Sequence, residues 1–251
     1  MFFALSLLSL LLVLFFFYSY FRLNKKTVYP KAIKDLLSAH VNFYQKLGDT
    51  DQKKFEEMAI YFLSYIRIEG IKTEITDLDK TLVAASAIIP VFHFNKWKYY
   101  QLSTVLLYPD TFNREEFLQE GFEKDTLGMV GNGPLQRTMI LSKPALYAGF
   151  QGGRHNTGIH EFVHLIDKED GSIDGLPQAL LQKSQNAEWI ALVNQSIHGI
   201  LSGESDINIY GATNQGEFFP VAAEYFFNDP DNFSYHHPRL FEMMKLMFQV
   251  P

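Results

Sequence analysis

His160-Glu161-Phe162-Val163-His164 is the stretch from which the rest of this 251-residue chain is read. It has the form H-E-x-x-H, in which two histidines four apart hold a catalytic zinc. On an α-helix, positions i and i+4 share one face, a turn apart. Two imidazoles placed there can bind one ion through ring nitrogens at about 2.0–2.1 Å. Glu161 can point into the same cavity without ligating, and so act as general base toward a metal-activated water. The neighbours Ile159, Phe162, Val163, Leu165 and Ile166 are apolar. A helix that apolar is buried, and buried histidines and a buried glutamate need partners. One Zn2+ satisfies all three, so the pattern predicts a buried helix carrying a metal.

A catalytic zinc takes three protein ligands and keeps a fourth position open. Downstream, Tyr210-Gly-Ala-Thr-Asn-Gln-Gly-Glu217-Phe-Phe-Pro-Val-Ala-Ala-Glu224 supplies two carboxylates. Glu217 and Glu224 are seven apart, two turns along one helical face, and spacing excludes neither.

The pattern Tyr-Gly-x-x-Asn-x-x-Glu-Phe-Phe-x-x-x-x-Glu resembles the distal half of the zinc site in anthrax lethal factor. It resembles more closely the bacterial MtfA family of zinc-dependent peptidases, named for titrating the glucose repressor Mlc. That likeness covers most of the chain: Phe62–Gly70, Leu82–Ala87, Val105–Pro109, the 133–149 region, His155–Asp167, Asp174–Pro177, Glu224–Phe227 and Pro238-x-Leu240. The resemblance implies His160, His164 and Glu217 as ligands and Glu161 as base. It implies Tyr210 as the phenol that stabilises the oxyanion, and Glu224 as a carboxylate fixing a ligand histidine through its other N–H. It implies a zinc peptidase acting on a peptide or protein substrate, with aminopeptidase activity among the expectations; the sequence does not decide between trimming termini and cutting internally. It also implies an alternative role, a regulator that sequesters an Mlc-like transcriptional repressor, which the N-terminal segment described below would tether to a membrane, a departure from the soluble MtfA proteins. Pro220 departs from the family, which usually has a small helix former there. A helix starting near Gly216 keeps Pro220 near its beginning, whereas a start near Thr213 puts a kink beside the metal. Asn214, a good N-cap type, is compatible with both.

Other candidates read as structural. His155 is expected to hydrogen-bond backbone from a loop rather than act as a fourth ligand. The adjacent pair His236-His237 chelates poorly in an extended segment and is expected on the surface. Asp167, Glu169, Asp170 and Asp174 do not match the spacing of an EF-hand calcium loop and are expected to form a solvated turn. Asp167 differs from the other three: it follows His164 by three and could orient that ligand. Arg154, after Gly152-Gly153, is read as an exposed loop charge rather than a grip for a substrate carboxylate.

Residues 2–21 contain no charge and no proline. Twenty apolar residues at 1.5 Å each span about 30 Å, the hydrocarbon thickness of a bilayer. Tyr18 and Tyr20 stand where an aromatic belt would lie, and Arg22, Lys25, Lys26, Lys31 and Lys34 follow. That excess of positive charge marks a cytoplasmic flank. A cleavable signal peptide would want a basic start and an A-x-A-like site, and both are missing. The expected organisation is a transmembrane anchor over 1–22, a basic juxtamembrane linker over 23–33 and a zinc metallopeptidase domain over 34–251. The expected location is the bacterial inner membrane, single-pass, with the catalytic domain facing the cytoplasm; the alternative is a soluble cytoplasmic protein.

After residue 35 the chain has 17 basic and 27 acidic residues. An acidic body does not suit nucleic acid, whose phosphates need Lys and Arg. The absence of cysteine removes any disulfide framework and leaves histidine and carboxylate as metal donors. Phe55, Met58, Ala59, Phe62, Leu63 and Ile66 keep an amphipathic helical stripe, as do Trp189, Leu192, Val193, Ile197 and Ile200. Short β-rich runs lie at Thr104–Tyr108 and Thr138–Leu141. The expected fold class is α+β and mainly helical: a zincin-like metallopeptidase domain with a small sheet, preceded by one N-terminal transmembrane helix. An edge of that sheet could take a substrate peptide as an added strand.

Overall fold

The computed structural model describes residues 32–109 and 137–251. The expected anchor over 1–22 and most of the 23–33 linker lie outside these residues. No helix among the described residues is long and apolar enough to cross a membrane.

The described residues begin with α1 (Ile33–His40) and the short α2 (Asn42–Gln45), followed by α3 (Asp49–Tyr65) and strand β1 (Arg67–Gly70). Helix α4 (Asp77–Ile88) precedes β2 (Thr104–Tyr108), and β3 (Thr138–Ser142) runs directly into α5 (Lys143–Ala148). Then come α6 (Thr157–Asp167), α7 (Asn186–Leu201), α8 (Gln215–Asn228), α9 (Pro230–His236) and α10 (Pro238–Met247). Helix predominates beside one small sheet, as the composition of the apolar runs predicts.

The sheet is parallel throughout, in the order β1-β2-β3, with Ile68 opposite Val105 and Val105 opposite Met139. The two β-rich runs of the sequence are β2 and β3. Strand β1 carries a weaker signal, since Arg67-Ile-Glu-Gly offers only one apolar residue to alternate. Central β2 explains why Val105 and Leu107 are fully buried. β3, an edge strand among the described residues, packs against α6.

Both predicted stripes face the core. Phe55, Ala59, Phe62 and Leu63 are buried on α3, and Ile66 is buried just past its end. Trp189, Leu192, Val193 and Ile200 are buried on α7, with Ile197 partly so. Helix α6 is enclosed on nearly every side. Its Phe162 ring meets Phe62 edge-on at 5.6 Å and Tyr99 at 5.1 Å, which seats the back of the metal motif on α3 and the loop before β2. Gly158 lets α4 approach: a Cβ there would fall 2.2 Å from Ser86 Oγ.

Local signals set the start of α6. Asn156 caps the helix, its side chain accepting from Ile159 N at 3.0 Å. Its amide also donates to Gly149 O at 2.9 Å. An Asn cap contributes about 1 kcal/mol, and here the second bond fixes the loop as well. After Asp167 the chain makes a single 3-10 turn, Lys168–Asp170, and reverses at Gly171. In that turn Asp170 accepts from Ser172 N and Asp174 from Leu176 N. These carboxylates accept from backbone N–H groups of their own turn.

Candidate metal centre

Helices α6 and α8 pack side by side and bring together His160, His164 and Glu217, whose ligand atoms all lie within 4.8 Å of one another. His160 Nε2 is 3.0 Å from Glu217 Oε2, and His164 Nε2 is 3.3 Å from the same oxygen. Ligands at about 2.0–2.2 Å around a tetrahedral ion sit roughly 3.3 Å apart. The spacing and the His-His-Glu donor set therefore fit a zinc ion. The ring planes of the two histidines are nearly perpendicular, 4.8 Å between centroids.

The other nitrogen of His160 is spoken for. Its Nδ1 donates to Glu224 Oε1 at 2.7 Å, and in the metal-free chain its Nε2 donates to Glu217 Oε2 at 3.0 Å. Glu224 Oε2 accepts Asn156 N–H at 2.6 Å, so one carboxylate ties α8 to the cap of the metal helix. Glu161 is 4% exposed and lies between the ligand histidines in sequence.

Burial and charge explain the acidities. Burial disfavours the charged form of His160, but hydrogen bonds to Glu217 and Glu224 outweigh it and hold the ring up to about 10. Burial raises Glu217 and Glu224, yet the donors around them win and bring both down to about 2. Glu161 goes the other way: burial pushes it up, and the neighbouring histidines only partly offset this. A carboxylate with a raised pKa is a better proton acceptor, the property a general base needs. Asp167, fully enclosed, is pushed up to about 6 by burial.

Tyr210 lies in a 3-10 turn, Ile209–Ala212, that follows the Asn208 side-chain cap. Its ring is 5.9 Å from that of His160, half-buried at the same face of the site. Helix α8 begins at Gln215 with Asn214 as N-cap, accepting from Glu217 N at 3.1 Å. This resolves the question raised by Pro220. The proline falls in the second turn, the helix continues through it to Asn228, and Glu217 keeps its place.

Three sequence expectations need correction. His155 is exposed but hydrogen-bonds side chains, not backbone. It contacts the Asn208 amide at 3.3 Å and approaches Glu224 at 3.8 Å, and the Glu224 contact raises its pKa. Arg154 is not a free loop charge: it pairs with Asp206 at 2.8 Å and Asp229 at 3.2 Å and lies over the Tyr225 ring. His236 is exposed as expected, but His237 is half-buried against Asp206 at 2.6 Å. Asp206 thus joins Arg154, His237 and the Tyr225 hydroxyl. Sequence reasoning missed this hub because its members are spread from 154 to 237 with no local motif.

A family profile described as "Glucose-regulated metallo-peptidase M90" matches residues 19–249. The chain belongs to this metallopeptidase family. An uncharacterized protein of Synechocystis sp. is 27% identical over 229 residues, 86% of this chain and 82% of that one. "Mlc titration factor A" of Klebsiella pneumoniae is 27% identical over 213 residues, 78% of each chain. The protein of that name from Escherichia fergusonii is 26% identical over 215 residues, 81% of this chain and 80% of that one. The MtfA likeness read from the sequence is therefore a family relationship. These relatives do not bear on the likeness to lethal factor.

Proposed function

We propose that the chain is a zinc peptidase that hydrolyses peptide bonds with Glu161 as general base. The observation that carries this reading is the convergence of two imidazole Nε2 atoms on one oxygen of Glu217, with a buried, proton-avid glutamate next to the first histidine. His160, His164 and Glu217 would hold one Zn2+. When bound, zinc supplies a Lewis acid that polarises the scissile carbonyl and acidifies water. Glu161 takes the proton of the attacking water and delivers it to the leaving amine. The Tyr210 phenol donates to the oxygen of the tetrahedral species. Glu224 holds His160 in the tautomer that ligation requires.

The test is Glu161→Gln. The variant is expected to bind zinc as the parent does and to lose hydrolysis of a peptide library by about 10²–10⁴-fold. Undiminished turnover in that variant overturns the mechanism. The same digest, read for N-terminal ladders against internal products, decides whether the activity is that of an aminopeptidase. An extended substrate would lie along β3 as an added strand, since that strand borders α6.

The names of the enterobacterial relatives favour a second reading, a regulator that binds an Mlc-like repressor. Repressor capture by the Glu161→Gln variant without turnover supports it. The domain plan that goes with both readings is an anchor over 1–22, a basic linker over 23–33 and the peptidase over 34–251. It puts the peptidase at the cytoplasmic face of the inner membrane, and a soluble cytoplasmic protein remains the alternative. Membrane fractionation of the full chain distinguishes the two.

A further inference from the structure

The two histidines of the motif are unequally supported. His160 Nδ1 is held by Glu224. His164 Nδ1 is enclosed and has no hydrogen-bond partner among the described residues. One turn further along α6, Asp167 is wholly buried. Its Oδ2 accepts Gly175 N–H at 2.9 Å, while its Oδ1 is enclosed and also without a partner. The two orphans are complementary. A ring that ligates through Nε2 carries its proton on Nδ1 and is a donor there, whereas a carboxylate oxygen is an acceptor. Side chains three apart are neighbours on a helix face.

We propose that Asp167 is the positioning residue of His164, as Glu224 is of His160. Its Oδ1 accepts the His164 Nδ1 proton through one enclosed water and fixes the ring with Nε2 toward the metal. This inference rests on the assignment of His164 as a ligand.

The surroundings of Asp167 give it reach across the site. Gly175, which donates to Asp167, accepts from Trp189 Nε1 at 2.7 Å. Its φ is +74°, and a Cβ there would lie 2.2 Å from Gln215 O. Only glycine brings the loop that close to the first residue of α8, two positions before Glu217. One oxygen of Asp167 therefore braces the loop that abuts the helix of the third ligand. The other oxygen faces inward on the helix of the first two. A carboxylate kept solely to close the loop would have its second oxygen bonded there or open to water. Here that oxygen is shut in on the helix that carries His164.

The test uses the full chain as parent, Asp167→Ala and Asp167→Asn, with zinc affinity read by chelator competition and the ligand field by the visible spectrum of the cobalt-substituted protein. Alanine is expected to weaken zinc by about 10–100-fold and to change the cobalt bands. Asparagine keeps one acceptor for two donors and is expected to lose less. A lower melting temperature in both variants, with zinc affinity within twofold of the parent and cobalt bands unmoved, reduces Asp167 to a loop brace and overturns the proposal. If the alanine variant does not fold, 15N-histidine NMR of the zinc-loaded parent decides. A His164 Nδ1 proton that exchanges slowly supports the proposal, and a freely exchanging one overturns it. Failure of the parent itself to bind zinc or cobalt is a different result. It removes the ligand assignment, and this inference falls with it.

Discussion

Glu217 and Glu224 are the same residue type, seven apart on one helix, and they address opposite ends of one imidazole. Glu217 faces Nε2 of His160 at 3.0 Å, and Glu224 faces Nδ1 at 2.7 Å. Both are held down to about 2, despite burial that raises them, by the donors around them. The difference lies in what else each carboxylate touches. Glu224 already takes a backbone N–H from Asn156 and sits beside His155, so its oxygens are committed to donors. Glu217 turns one oxygen toward two ring nitrogens, Nε2 of His160 and Nε2 of His164. Of the two, only Glu217 groups with both histidines in a set that could hold a metal ion, among the described residues.

The largest effect that sharpens this contrast is Glu217→Ala. It removes one of three donors, so stoichiometric zinc binding, measured by metal analysis after desalting, should be lost. Glu224→Ala should keep stoichiometric zinc but weaken it by about 10–100-fold, the usual consequence of losing the partner that orients a ligand histidine. The reverse pattern, zinc retained without Glu217 and lost without Glu224, would exchange the two roles.

Next in size is the proton balance. In the metal-free chain His160 keeps its proton up to about 10, because its bonds to Glu217 and Glu224 outweigh the cost of burying the charge. Zinc takes Nε2 and displaces that proton. Calorimetry in two buffers at pH 8 should therefore show release of about one proton per zinc, and affinity should rise with pH toward about 10. The stability of the metal-free chain runs the other way on its alkaline side. A histidine with a raised folded pKa contributes fully below its unfolded value of 6.5 and loses that contribution as pH climbs toward about 10. The two glutamates, depressed from 4.5 to about 2, contribute above 4.5 and lose it as pH falls toward about 2. Chelator-treated protein should accordingly melt highest between about 4.5 and 6.5. A melting temperature that fell neither above that range toward about pH 10 nor below it toward about pH 2 would mean the carboxylates do not share a charge with His160.

How much of this was readable in the chain depends on how local each signal is. His160, Glu161 and His164 sit within one turn and a half of helix, so their spacing alone predicts a shared face. Strands β2 and β3 were legible because β-branched and apolar residues run between breakers. The choice between Glu217 and Glu224 was not legible from spacing, because both lie on the same face of α8 and the deciding contacts come from Asn156 and His160, more than fifty residues away. The family resemblance implies that assignment, and the grouping of Glu217 with both histidines is compatible with it. The Arg154–Asp206–His237 hub was invisible for the same cause: it is assembled by tertiary folding from residues with unremarkable neighbours. Strand β1 failed for another reason. Its pairing with β2 supplies the backbone bonds that its own side chains do not advertise.

The smallest expected effect tests the helix on which the contrast stands. Pro220 lies in the second turn of α8, three residues after Glu217 and four before Glu224. It has no N–H for the Gly216 carbonyl four residues back, and it is buried. The helix nevertheless runs unbroken from Gln215 to Asn228, because Asn214 caps it and the Glu224 contacts pin its middle. Pro220→Ala restores one helical hydrogen bond and removes ring packing, two changes of about 1 kcal/mol and opposite sign. The melting temperature should move by no more than about 4 °C, the response of a domain this size to 1 kcal/mol. Zinc affinity should change less than twofold. A tenfold change would mean that the proline sets the angle between the two glutamates, and that the division of roles along α8 depends on a bend rather than on the donors each carboxylate meets.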